Sequence, residues 1–389
     1  MRHIEDRMKS RPFIHLLPVA VILVVLQLAM VSAAVQSPRV AIEPLPDRIT
    51  DADFWSIVTS FSEPGGVFQD ENYVSNEARY QQVIPALKKS VKPGAVYIGV
   101  GPEQNFTYIA AFRPGVSFVI DIRRQNTLEH LIYKSVFEQS ANRAEFFSRL
   151  FSRAQPKNLN ERSDIADLVR GFSALPRDNA LFERNLREVL DHLKKVHGFD
   201  LSSDDEKTIQ NVYRVFSDAG LSIDYTYKQN GSGVNATYAR LITQTDGEGE
   251  NRSFLASEEN FQAVRDLQRR NLIIPIVGDF AGPKALPAIG RYAQEHGTTI
   301  GVFYMSNVEQ YLFDAMVWKT FYSSVSALPV DSTSALIRSV APSAARGCFP
   351  IASRAALSWA SLQGPIDRLV RAYRENRIQN NCDVVRMSQ

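Results

Sequence analysis

The sequence predicts an α/β fold, a parallel sheet flanked by helices, with a helical insertion after the second strand. Three observations carry this. Short apolar runs ending in glycine or polar residues recur at 95–101, 117–123, 272–277 and 299–304, the pattern of strands buried on both faces. Helix-forming stretches separate them, which gives the alternation of a parallel sheet. After Arg124 about a hundred residues turn strongly helical, with Leu128, Leu131, Ile132 and Val136, then Phe146, Phe147, Leu150 and Phe151, spaced at three and four.

Length and charge narrow the function classes. The 389 residues carry 44 Lys+Arg against 42 Asp+Glu. Setting aside residues 1–34 leaves 40 of each sign, and a neutral body argues against a phosphate-backbone footprint, so no nucleic-acid partner is expected. With 44% hydrophobic residues, 20 Gly and 19 Pro, collagen, coiled coil and wholesale disorder are excluded.

At the N-terminus, Leu16–Val31 is apolar apart from Pro18 and Gln27, follows the basic residues Arg2, Arg7, Lys9 and Arg11, and precedes Ser32-Ala33-Ala34. This is the pattern of an export signal in residues 1–34. An uncleaved membrane anchor is the alternative, although about 20 apolar residues are wanted to span a bilayer. Both place the body outside the cytoplasm, secreted or periplasmic. Residues 35–50, with Pro38, Pro44 and Pro46, read as a tether.

The body follows in order. Phe54, Ile57, Val58 and Phe61 predict a helix over 53–61, broken by Glu63-Pro64-Gly65-Gly66, and a second helix is expected over 76–90. Residues 95–123 form a βαβ unit around a short helix at 105–112. The helical insertion covers about 140–230, its last helix opened by a capping box from Ser203 to Glu206. A second α/β half reads as a short strand at 253–255, a helix capped by Ser257 and running to Asn271, a strand at 272–277, a helix at 283–296 and a strand at 299–304. Residues 307–322 read as helix, 335–340 as strand and 364–377 as an amphipathic helix. The α/β domain is bounded at 51–345, with 346–389 a C-terminal helical extension. Cys348 and Cys382 are the only cysteines; they pair if the compartment is oxidising, and otherwise are two small hydrophobes.

The sharpest chemical feature is Gly99-Val100-Gly101-Pro102-Glu103-Gln104-Asn105 after the first strand, with Asp121 at the end of the next. In a Rossmann-type site glycines let the backbone approach the ligand at a helix N-terminus, and the acid after the second strand accepts hydrogen bonds from ribose hydroxyls. A tight strand-to-helix turn would use the same glycines for packing. Arg123, Arg124 and Asn126 flank Asp121, where Asn126 is also placed to cap the long helix. Gly278-Asp279-Phe280 and Ser306-Asn307-Val308-Glu309 follow later strands, on the same rim if the βαβ reading holds.

These residues resemble the class I S-adenosylmethionine-dependent methyltransferases, which place a glycine-rich loop after the first strand and an acid at the end of the second. More closely, the strings GVGPEQNFTYIAAFRP, FVIDIRRQN, SEENF, VGDFAGPKA and FYMSNVEQYL resemble an uncharacterised group of bacterial proteins with a methyltransferase-like, Rossmann-like fold. The resemblance implies S-adenosylmethionine or a related nucleoside as small-molecule ligand, held by Gly99, Gly101, Glu103, Asn105, Asp121 and Arg123, with Asp279 or Glu309 orienting or deprotonating a methyl acceptor. The loop departs from the family pattern in having Tyr97 two residues before the first glycine, where an acid is usual, and Glu103 where a third glycine is usual. Glu103 either takes over toward the ligand's amino group or blocks that end of the ligand.

Two further readings stand beside this one. A non-catalytic exported binding module would keep the fold without the chemistry; an open, acid-lined pocket beside Asp121 would favour the enzyme. A hydrolase with a scattered triad would need His130 or His296 near a serine and a carboxylate. No GxSxG or phosphate-loop sequence occurs, and Thr245–Asn251 lacks the ligand alternation of a calcium loop. With no HExxH and no histidine pair at a facing helical spacing, no metal ligands are assigned.

Overall fold

Apolar runs become strands because, with both faces covered, every side chain on them can be buried. In the computed structural model, which describes residues 43–227, 235–342, 347–348 and 359–388, five parallel strands form: β1 (Val96–Val100), β2 (Val116–Asp121), β3 (Ile273–Val277), β4 (Ile300–Tyr304) and β5 (Ala335–Val340). A sixth, β6 (Ala360–Pro365), runs antiparallel to β5, so the sheet is mixed, in the order β3-β2-β1-β4-β5-β6. The order reverses between β1 and β4. Val100 pairs with Ile120, and Asp121 with Val277, so the carboxyl ends of the central strands lie level.

The helices cover the sheet in chain order. α1 (Asp51–Phe61) is capped by Thr50, whose hydroxyl accepts from Asp53 N, and it buries Phe54 and Val58. The predicted helix over 76–90 is only a 3₁₀ turn (Tyr80–Val83) and one α turn (Ile84–Leu87). Pro85 explains the difference, since proline suits the first turn of a helix and not its interior. α2 (Gln104–Phe112) closes the βαβ unit, and α3 (Arg124–Gln139) buries most of its length.

The insertion supplies α4 (Arg143–Phe151), α5 (Ile165–Ser173), α6 (Asn179–Asp191) and α7 (Ser203–Ala219). Its capping box sits one residue earlier than expected, on Ser202 and Asp205. Asp205 is also the partner of Arg124 at 2.6 Å, which ties the cap to α3 and fixes that register.

After α8 (Tyr238–Thr243), residues 253–255 form a turn where a strand was expected. Ala256 N donates to Ser253 O at 2.9 Å and Leu255 N to Ser253 Oγ at 3.2 Å, so local bonds replace the ladder. α9 (Glu258–Arg269) is capped by Ser257, and α10 (Ala285–Glu295) follows β3. The helix expected over 307–322 is two, α11 (Val308–Asp314) and α12 (Trp318–Ser326), parted where Met316 takes a φ of 58°. Gly364, expected in a helix, lies in β6, and α13 (Ile366–Arg374) and α14 (Asn381–Arg386) complete the chain. Residues 346–389 therefore contribute an edge strand to the sheet besides helices. Among the described residues no helix is long and apolar enough to cross a membrane; the apolar segment 16–31 and residues 35–42 of the tether lie outside them.

Cys348 and Cys382 form a disulfide that packs with Val340 and Val385. Their sequence separation is 34, and releasing a loop of this size restores entropy to the unfolded chain. The double variant Cys348→Ser/Cys382→Ser is expected to lose about 2–4 kcal/mol in urea denaturation. Reductant should produce the same loss in the wild type and none in the variant.

Candidate functional site

A cavity of about 560 Å³ opens at the carboxyl edge of the sheet. All five parallel strands contribute the residues that follow them: Gly101 after β1, Asp121 and Arg123 at β2, Gly278 and Asp279 after β3, Ser306 and Asn307 after β4, and Ala341 after β5. It lies where the strand order reverses, the position at which open α/β sheets bind ligands.

The loop after β1 is held from behind by Asn105. Its Nδ2 reaches the carbonyls of Val100, Gly101 and Pro102 at 3.0, 3.1 and 2.7 Å, and its Oδ1 accepts from Tyr97 Oη at 2.8 Å. Gly101 has a φ of 78°, a left-handed conformation that glycine adopts without steric cost. Gly99 serves packing, since a Cβ there would overlap Asn105 Oδ1 and come within 2.7 Å of the Tyr97 ring. His130 braces the loop through Nε2, 2.9 Å from Gly101 O. The carbonyl can only accept, so Nε2 carries the proton, and burial pushes the imidazole pKa down to about 4.

Asp121 faces the cavity but is already engaged. Arg123 Nε and Nη2 meet its two oxygens at 3.0 and 2.9 Å, and Arg123 N donates to Oδ1 at 2.9 Å. The same guanidinium reaches the carbonyls of Asp70 and Glu71 and lies 5.8 Å from the Phe68 ring centre, tying residues 68–71 to β2.

The sequence reading missed a second polar group in the wall. Glu77 Oε1 accepts from Tyr304 Oη at 2.7 Å and from Ser306 Oγ, while Gln104 Nε2 donates to Tyr304 Oη at 2.8 Å. Among the described residues Gln104 Oε1 has no hydrogen-bond partner, while Ser339 lies against the Glu77 carboxyl. Glu77 is 2% exposed, and burial raises its pKa. No motif surrounds Glu77 in the sequence; it reaches the site because residues 72–77 pass along the ends of β1 and β4.

The remaining candidates divide. Asp279 lines the cavity, with Oδ1 accepting from Ala281 N at 2.8 Å. It does not cap α10; Glu63 does, accepting from Lys284 N and Ala285 N at 2.7 and 2.9 Å. Glu103 is 2% exposed and lies behind the loop, where both its oxygens accept from Ser75 N at 3.3 Å. Glu309 is buried in an ion pair with Arg338, Nε to Oε2 at 2.6 Å, and also accepts from Tyr322 Oη. Gly101, Asp121, Arg123 and Asp279 thus share the cavity wall, whereas Gly99, Glu103, Asn105 and Glu309 do not line it.

The cavity's charge is acidic, with Asp70, Glu77, Asp121 and Asp279 against Arg123; no His, Cys or Lys is among the described lining residues. The scattered triad does not form: His130 faces a carbonyl, and His296 Nδ1 lies 3.1 and 3.2 Å from the carbonyls of Glu43 and Pro44. Asp246 closes the 245–251 loop by accepting from Glu248 N and Glu250 N and pairing with Arg252, as in a solvated turn.

No curated protein matches the chain. Residues 72–363, more than half of the chain, match a family described as a domain of unknown function, DUF7790, and the chain belongs to that family.

Proposed function

We propose that this is an exported protein with a methyltransferase-like fold whose cavity binds S-adenosylmethionine or a related nucleoside and passes a methyl group to an acceptor. The observation that carries the reading is the acid-lined cavity at the strand-order reversal, with Gly101 and Asp121 in its wall. Its volume suits a small-molecule ligand, for which about 300–1,000 Å³ is usual. The carboxylates of Asp70, Glu77, Asp121 and Asp279 against one arginine suit a cationic ligand. Glu103, turned away toward Ser75 N, does not block the cavity.

When bound, the sulfonium supplies an already activated methyl group, so the chain's part is mainly alignment. Asp279, whose carboxylate accepts a single internal bond, from Ala281 N, would take the acceptor's proton as the acceptor bonds to the methyl carbon and the carbon–sulfur bond breaks toward sulfur. Val67, Phe68, Tyr311 and Val317 add an apolar patch to the lining, which suits an acceptor with an apolar or planar face.

A second reading is a non-catalytic exported binding module. The bidentate grip of Arg123 on Asp121 favours it, because the carboxylate meant for ribose hydroxyls is already committed. The Cys348–Cys382 disulfide supports an oxidising compartment under both readings.

Calorimetric titration of residues 35–389 with S-adenosylmethionine and S-adenosylhomocysteine tests the pocket. Micromolar binding is expected, weakened about 10–100-fold in Asp121→Asn, with the urea midpoint read alongside because the variant also takes the charged partner from Arg123. Unchanged affinity in that variant removes Asp121 from the ligand, and absence of binding to both compounds leaves the binding-module reading.

A further inference from the structure

A cluster outside the cavity lining gathers two histidines and a carboxylate. We infer that Glu138, His192 and His197 form a binding site for a divalent transition metal, with Zn²⁺ the class that imidazole and carboxylate donors suit best. Their candidate ligand atoms all lie within 4.8 Å of one another. Glu138 Oε2 is 3.0 Å from His197 Nε2 and 3.6 Å from His192 Nε2. A tetrahedral ion with bonds of 2.0–2.1 Å places its ligand atoms about 3.3 Å apart, between these two values.

The backbone explains why the spacing hides the pair. Positions five apart on an α-helix point about 140° away from each other. Residues His192–Val196 form a π turn, closed by the bond from His197 N to His192 O at 3.0 Å. One turn then takes an extra residue, and the imidazoles come to 4.7 Å between ring centres.

The surroundings are those of a supported ligand set. His197 Nδ1 lies 2.7 Å from Asp51 Oδ1, the carboxylate–histidine arrangement that fixes a ligating tautomer and leaves Nε2 for the ion. Lys134 Nζ holds Glu138 Oε1 at 2.6 Å, which orients the carboxylate and leaves Oε2 to the cluster. A proton on His197 would satisfy Asp51 and Glu138 without any metal, but it leaves His192 unexplained: Nδ1 has no hydrogen-bond partner, and Nε2 stands beyond hydrogen-bond distance from Glu138. A metal ligated by Nε2 accounts for that nitrogen as well. The ion would join α1, α3 and the turn after α6, stapling the insertion to the sheet domain.

The test uses the full chain, stripped with a chelator and titrated with Zn²⁺ against a chromophoric competitor, then with Co²⁺. One equivalent of Zn²⁺ and the visible absorption of four-coordinate Co²⁺ are expected. His192→Gln, which removes a side chain that no described residue holds by hydrogen bonding, should weaken binding at least about 10–100-fold with circular dichroism unchanged. His197→Gln should do the same if it folds, and His192→Gln decides the matter if it does not. No stoichiometric binding at micromolar Zn²⁺, or equal affinity in His192→Gln, overturns the site. Nucleoside binding at the cavity stands or falls separately, since none of these residues lines it.

Discussion

Arg338→Met is expected to destabilise the fold by about 3–5 kcal/mol, and Glu309→Gln by a comparable amount, because each leaves the other partner of a buried ion pair alone. Both residues are 3% exposed. Arg338 meets Glu309 through Nε at 2.6 Å and Nη2 at 3.1 Å, and its Nη1 donates to Val384 O at 2.6 Å and to Ser388 Oγ. One guanidinium thus joins β5, α11 and the end of the chain beyond α14. Tyr322 adds a further donor to the same carboxylate from α12. Denaturant midpoints for the two single variants and for the double variant measure the effect. The double variant should recover part of the loss, since removing both charges leaves none uncompensated. The same data judge the catalytic reading of Glu309. A residue working on substrate would lose activity on substitution with stability intact, whereas a loss of stability assigns it to the frame.

The strands were legible because burial on both faces removes the need for polar alternation, so Val96–Val100 and Ile273–Val277 stand out as unbroken apolar runs. β6 was not, because Ala360–Pro365 is a half-buried edge strand containing Gly and Pro, whose pattern follows neither period. Gly101 and Asp121 could be placed on one rim from spacing alone, since a βαβ unit brings successive strand ends together. Glu77 could not. Its position depends on the path of a segment outside any strand, and only the assembled fold sets it against Tyr304 and Ser306. The Met316 break between α11 and α12 has no glycine or proline to announce it. His192 and His197 were read at α-helical angles, which the π turn does not keep. Glu103 is ambiguous for a different reason: an acid at the start of a helix beside a glycine loop looks identical in sequence whether it turns toward a ligand or toward the core.

Glu103→Gln is expected to stabilise the protein at pH 8 and to leave it unchanged near pH 4. Burial pushes the Glu103 carboxyl up to about 8 from its usual 4.5, and the neighbouring Glu77 adds to the shift. Between those two values the folded chain holds a proton that the unfolded chain has released, so stability falls as pH rises across the window. The fall is at most about 1.4 kcal/mol per pH unit and amounts to something on the order of 4 kcal/mol by pH 8. Below about pH 4.5 the carboxyl is neutral in both states and contributes no penalty. Glutamine stays neutral throughout, so urea midpoints for wild type and variant should coincide at low pH and separate steadily above pH 5, the variant being the more stable. Glu77 and Glu129 are also raised by burial, but they titrate in both proteins, and the difference between the two curves retains only Glu103 and its coupling to them. If Glu103 instead served as an ionised contact, held by Ser75 N and poised for a ligand's amino group, glutamine would lower stability or ligand affinity at pH 8. The sign of the difference at that pH therefore decides between a carboxyl buried as structure and one kept charged for binding.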